Sequence, residues 1–123
     1  MPSTTSVPTF ESLRIWHDAR RLTSRIYQVT GSQPFCTDFA LRDQLRRASL
    51  SVMSNIAEGF ERGGRKEFRH FLMIAKGSAG EVRSHLFAAE DVGLLESRVA
   101  LQLREEVRAL SRRIAALAAT IRV

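Results

Sequence analysis

The chain has 123 residues, of which 44% are hydrophobic and 26% charged, which excludes a disordered chain and fits one domain with its own core. A formal net charge of +6, carried almost wholly by arginine, favours a polyanionic partner but specifies no chemistry. The single cysteine, Cys36, excludes an internal disulfide, and no run approaches the roughly 18 apolar residues of a membrane span.

Residues 1–9 lack the basic region and apolar run of a signal peptide and read as a flexible leader. With the lone thiol, this makes the cytoplasm the expected location and a membrane partner unexpected. Residues 10–123 carry helical periodicity throughout. Thr9 is placed to N-cap a first helix, with Glu11 in its first turn. Ile15, Ala19, Leu22, Ile26 and Val29 recur at spacings of four and three, with Leu13 and Trp16 beside the seam. Trp16 reads as a core anchor, and Gly31 with Pro34 ends the helix.

Thr37 and Asp38 open a second helix that runs to about Glu61. Leu41, Leu45, Ala48, Val52 and Ile56 form one stripe; Leu50, Met53, Ala57 and Phe60 form another, rotated by about 120°. Ser49, Ser51, Ser54 and Asn55 are mediocre helix formers, so packing rather than propensity must hold this segment. Gly59 costs a helix interior about 1 kcal/mol, which a close backbone approach or an early helix end explains.

Gly63-Gly64 reads as a turn, and a third helix follows from about Arg65 to Val92, stopped by Gly93. Phe68, Phe71, Leu72, Ala75, Ala79, Val82 and Leu86 mark its inner face. Met73, Gly77, Gly80, Ser84 and Phe87 lie on the far side, and the two glycines imply tight packing against a neighbour. The fourth helix, about Ser97 to Ile121, has a near-coiled-coil seam of Val99, Leu103, Val107, Leu110, Ile114, Leu117 and Ile121. Four helices with short connections predict an all-α, antiparallel up-down four-helix bundle. Its expected core holds Leu45, Val52, Ile56, Phe71, Val82, Leu86, Leu103, Leu110 and Ile114.

The chain has more apolar stripes than one such core accommodates. Leu50, Met53, Ala57, Phe60, Met73, Gly77 and Gly80 are therefore expected at the interface of a homo-oligomer.

No catalytic constellation stands out, and no cofactor or metal is expected. Glu67 and His70 make half of a di-iron motif without the other half. Glu81 and His85 lie too far along the axis to share a metal with them. Asn55, Glu58, Ser78 and Glu81 read as structural polar groups near close helix contacts, with Arg47, Arg62 and Ser78 as partners for the carboxylates. Arg104, Arg108 and Arg112 stack at (i, i+4) opposite the fourth seam, and Arg62, Arg65, Lys66 and Arg69 surround the central turn. These seven are the candidate nucleic-acid contacts. Neither cluster brings an aromatic platform, so base stacking is not suggested.

Several blocks resemble a known family. They are the run from Gln44 to Gly59, ending Asn55-Ile56-Ala57-Glu58-Gly59, then Lys66-Glu67-Phe68-Arg69-His70-Phe71-Leu72, Ile74-Ala75 and Gly77-Ser78-Ala79-Gly80-Glu81. Leu13 to Ala19 and Ile26 to Thr30 match the family's first helix. The resemblance is to the bacterial four-helix-bundle family of ribosomal RNA intervening-sequence proteins, and it covers roughly residues 10–120. It implies a ring-like homopentamer, in a family for which no enzymatic activity or cofactor is established. It also implies kinship with the accessory protein of diversity-generating retroelements, a basic pentamer that binds nucleic acid and a reverse transcriptase. Met53 stands where the family often has proline.

Two functional readings follow. In the first, the chain is a non-enzymatic, oligomeric scaffold that binds RNA or DNA. In the second, it is a protein-interaction module whose arginines serve self-assembly or a protein partner.

Overall fold

The computed structural model describes residues 8–123. Most of the expected N-terminal leader, residues 1–7, lies outside the described residues. Four helices follow: α1 (Arg14–Thr30), α2 (Phe39–Glu61), α3 (Arg65–Asp91) and α4 (Ser97–Thr120). There is no strand among the described residues, and no helix is long and apolar enough to cross a membrane.

The start of the first helix corrects one expectation. Thr9 caps a short 3-10 turn, Phe10–Ser12, without a side-chain hydrogen bond, and α1 begins only after Leu13. Ser12 explains the interruption, because both its amide and its hydroxyl donate to the Thr9 carbonyl, at 3.0 and 2.6 Å. At α2 the cap is Asp38, whose carboxylate accepts from the Leu41 amide at 3.0 Å. Gly63, at φ 82°, reverses the chain after α2, and Gly93, at φ 80°, does so after α3.

Short connections and contacts between successive helices make each antiparallel to its neighbours. Arg25 meets Glu106 and Asp18 meets Arg113 across α1 and α4. Thr30 meets Arg46 across α1 and α2, and Ser51 meets Ser78 across α2 and α3. The result is an up-down four-helix bundle. Its centre holds Leu22, Ile26, Leu45, Val52, Ile56, Leu72, Val82, Leu86, Leu103, Leu110 and Ile114, all essentially inaccessible to water. Phe35, from a 3-10 turn between α1 and α2, plugs one end of this core. Of the expected core set only Phe71 is not fully buried, because it sits at the α2–α3 seam. Trp16 is half-buried, packed against the core and edge-on to Phe10 at 4.9 Å.

The weak helix formers of α2 are used as connectors. Ser51 and Ser78 hydroxyls lie 2.8 Å apart, and Asn55 Nδ2 donates to the Ser51 carbonyl and hydroxyl at 2.8 and 3.0 Å. Thr23 donates to the Ser49 carbonyl at 3.2 Å, fastening α1 to α2. Gly59 is buried within α2, and a Cβ there would lie 2.6 Å from Phe71 Cβ. Its absence lets α2 and α3 close together, which decides for close approach over an early helix end.

Candidate nucleic-acid interface

The antiparallel pairing of α3 and α4 sets two rows of side chains face to face. On α3 the row is Lys76, Gly80, Arg83 and Phe87, at helical spacings of four, three and four. On α4 it is Arg104, Arg108 and Arg112. Between them lies a recess of about 210 Å³ lined by Lys76, Ala79, Gly80, Arg83, Val107, Arg108, Ser111, Arg112 and Ala115. Small residues make the floor and four cations make the rims. Among the described residues, none of these four cations takes part in an ion pair. Four like charges around one recess repel, and a bound anion relieves that repulsion.

The expected arginine stripe of α4 is therefore divided. Arg108 and Arg112 are on the groove. Arg104 is engaged within the chain: its Nη1 donates to Glu90 Oε1 at 2.5 Å, and its guanidinium lies 4.1 Å over the Phe87 ring. A hydrogen bond from Ser97 and then one from Arg104 hold the Glu90 carboxyl below its ordinary range. In exchange the groove gains Lys76 and Arg83, which sequence reading did not single out. Their seven-residue spacing places them on one face of α3, but only the register with α4 sets them opposite Arg108 and Arg112.

The turn cluster is rearranged too. Arg62 pairs with Glu58 at 2.9 Å and lies 5.1 Å over the Phe71 ring. Arg65, Lys66 and Arg69 are exposed. Arg65 and Arg69 border recesses of about 340 and 580 Å³ together with Arg122, which the end of α4 brings to the same end of the bundle. Arg122 is a further cation that the linear sequence separates from this cluster. Beside it a recess of about 490 Å³ is lined by Pro8, Phe60, Glu61, Gly63, Gly64, Arg65, Phe68 and Ile121.

Of the structural polar candidates, Asn55 and Ser78 belong to the α2–α3 seam already described. Glu58 is half-exposed and, among the described residues, pairs with Arg62 one turn away. Glu81 is exposed and makes no ion pair among the described residues. The expected role of both carboxylates at a close helix contact is corrected accordingly. Both point outward from the bundle.

The apolar stripes divide in the same way. Leu50 and Met73 are 41% and 44% exposed, and Ile74 is exposed beside Met73. Met53 instead packs against the core, Ala57 is half-buried, and Phe60 meets the Phe68 ring edge-on at 5.6 Å. A methyl added at Gly77 or Gly80 would meet nothing within 4 Å. The expected tight packing at these glycines is thus not supplied by any helix of the chain itself. Among the described residues, no three His, Cys, Asp or Glu side chains are grouped as metal ligands.

A family model described as 23S rRNA-intervening sequence protein matches residues 11–116. The fold is similar to the crystal structure of a protein with unknown function from the S23 ribosomal protein family of Bacteroides thetaiotaomicron VPI-5482. The TM-score is 0.79 and the identity 17%, over 86% of this chain and 99% of that one. No curated protein matches the chain.

Proposed function

The chain belongs to the 23S rRNA-intervening sequence protein family, and on that premise we propose that it is a non-enzymatic, homo-oligomeric scaffold that binds nucleic acid. One observation carries the reading: Lys76, Arg83, Arg108 and Arg112 share a groove and, among the described residues, none has a carboxylate partner. Phosphate oxygens match such a site, because guanidinium and ammonium groups donate to them without regard to base identity. Arg65, Lys66, Arg69 and Arg122 at the bundle's end supply a second cationic surface.

Assembly follows from the faces that the single chain leaves open. Met73 and Ile74 are partly exposed one turn before Gly77, where the helix surface is bare, and Leu50 is partly exposed on α2. A ring-like pentamer, the arrangement that the family resemblance implies, would cover this surface. It would also repeat the groove once per subunit, so that weak contacts act together along one strand.

A second reading rests on the same apolar residues. If Leu50, Met73 and Ile74 meet a different protein, the chain is an interaction module and its arginines serve that contact. Purification at low salt separates the two. Nucleic acid that co-purifies, seen as a raised ratio of absorbance at 260 to 280 nm, and that high salt removes, supports the scaffold. Clean protein that also fails to bind added RNA or DNA supports the module.

A further inference from the structure

Phe87 changes what the α3–α4 groove is able to recognise. It lies one turn beyond Arg83, whose guanidinium is 6.0 Å from its ring, and directly across from Arg104 at 4.1 Å. The ring is 45% exposed. Apolar burial within the bundle therefore does not account for it, and it stands at the end of a row of cations. From Lys76 to Phe87 the row spans eleven residues, about 16 Å along the helix axis.

We infer that the groove takes a single nucleic-acid strand, with phosphates between its two cationic rims and one base stacked on Phe87. The inference rests on the nucleic-acid reading above and narrows it to one substrate class. Single strands are held by a basic groove that tracks the backbone together with aromatic faces on which bases stack. Both parts are present here within one helix pair. The floor of Ala79, Gly80 and Ala115 has no bulk, a Cβ on Gly80 would still meet nothing within 4 Å, and Phe87 follows one turn beyond Arg83 at the recess's edge. Arg104 lies over one side of the ring while held by Glu90, so a stacked base takes the other side. A duplex fits poorly: its bases are stacked on each other and offer no free face to Phe87.

The test uses the full chain at about 50 mM salt, where phosphate contacts are strong. Fluorescence anisotropy is measured with a labelled oligothymidylate strand, an RNA strand of equal length, and a duplex of that length. The wild type should bind both strands more tightly than the duplex. Phe87→Ala should weaken strand binding by about fivefold or more, the loss of one stacked base, while duplex binding stays unchanged. Phe87→Trp should retain strand binding, with its indole emission quenched by the strand. Equal affinity for strand and duplex, or a Phe87→Ala effect that is absent or common to both, overturns the inference and leaves general nucleic-acid binding standing. Loss of the assembly by Phe87→Ala in light scattering also overturns it, because the ring is then a subunit contact. Failure of the wild type to bind any of the three removes the nucleic-acid reading itself.

Discussion

The guanidinium of Arg104 lies 4.1 Å over the ring of Phe87, and this contact separates Arg104 from Arg108 and Arg112 further along α4. With only 13% of its side chain exposed, Arg104 is a structural cation, whereas Arg108 and Arg112 face the groove without an ion pair among the described residues. Arg104→Gln should therefore lower stability, by about 0.5–1 kcal/mol from the cation–π contact alone. It should change the salt dependence of nucleic-acid binding far less than Arg108→Gln does. Urea denaturation and anisotropy on the same variant check both halves of this expectation.

Glu90 makes the acid limb of stability predictable. Hydrogen bonds from Ser97 and Arg104 hold its carboxyl below its ordinary value of 4.5. A depressed folded-state value means that its contribution is complete at pH above that ordinary value. The contribution is lost as pH falls through the lowered value in the folded state. Glu90→Gln should flatten the stability profile below about pH 5 and leave neutral pH behaviour otherwise similar in shape. A profile of unchanged steepness would show that other carboxylates govern acid unfolding.

Glycine substitutions should act in opposite directions. Gly59→Ala places a methyl group 2.6 Å from Phe71 Cβ, a neighbour fixed to its own backbone, so α2 and α3 must separate. A cost of about 1–3 kcal/mol is expected, against a helix-propensity gain of about 1 kcal/mol. Gly77→Ala meets open space within the chain and should raise helix stability by about 1 kcal/mol. If a neighbouring subunit covers this face, the same variant should also reduce the assembled mass. Thermal melts combined with multi-angle light scattering read both effects.

Light scattering on the wild type should return several times the 13.8 kDa of the chain, with five subunits as the expected number. Met73→Ser and Leu50→Ser, both at exposed positions, should lower that mass while preserving helical circular dichroism. A monomer at micromolar concentration would contradict the assembly.

The helices were legible because each seam repeats at three and four residues, a pattern that survives without knowledge of the neighbours. Gly59 was legible in part: an interior glycine signals a constraint, and Phe71 supplies it. Lys76 and Arg83 were not legible as groove residues, since their relation to Arg108 and Arg112 exists only once α3 and α4 are in register. Arg122 joins Arg65 and Arg69 for a similar reason, because chain reversal brings both ends of the bundle's elements together. Arg104 shows the opposite failure. Its spacing matched the stripe, yet Glu90 and Phe87 on the facing helix claim it. The sequence puts Phe87 at one end of an outward stripe, and its place beside two arginines depends on that same facing helix.

If the α3–α4 groove binds nucleic-acid phosphates, the salt dependence of binding reports those contacts. The logarithm of affinity for a single strand should fall linearly with the logarithm of salt, by about 0.7 for each phosphate contacted. The double variant Arg108→Gln, Arg112→Gln should reduce that slope by about 1.4 if each arginine holds one phosphate, with the assembled mass unchanged. A slope identical to that of the wild type, or binding indifferent to salt, would contradict the groove as the phosphate site.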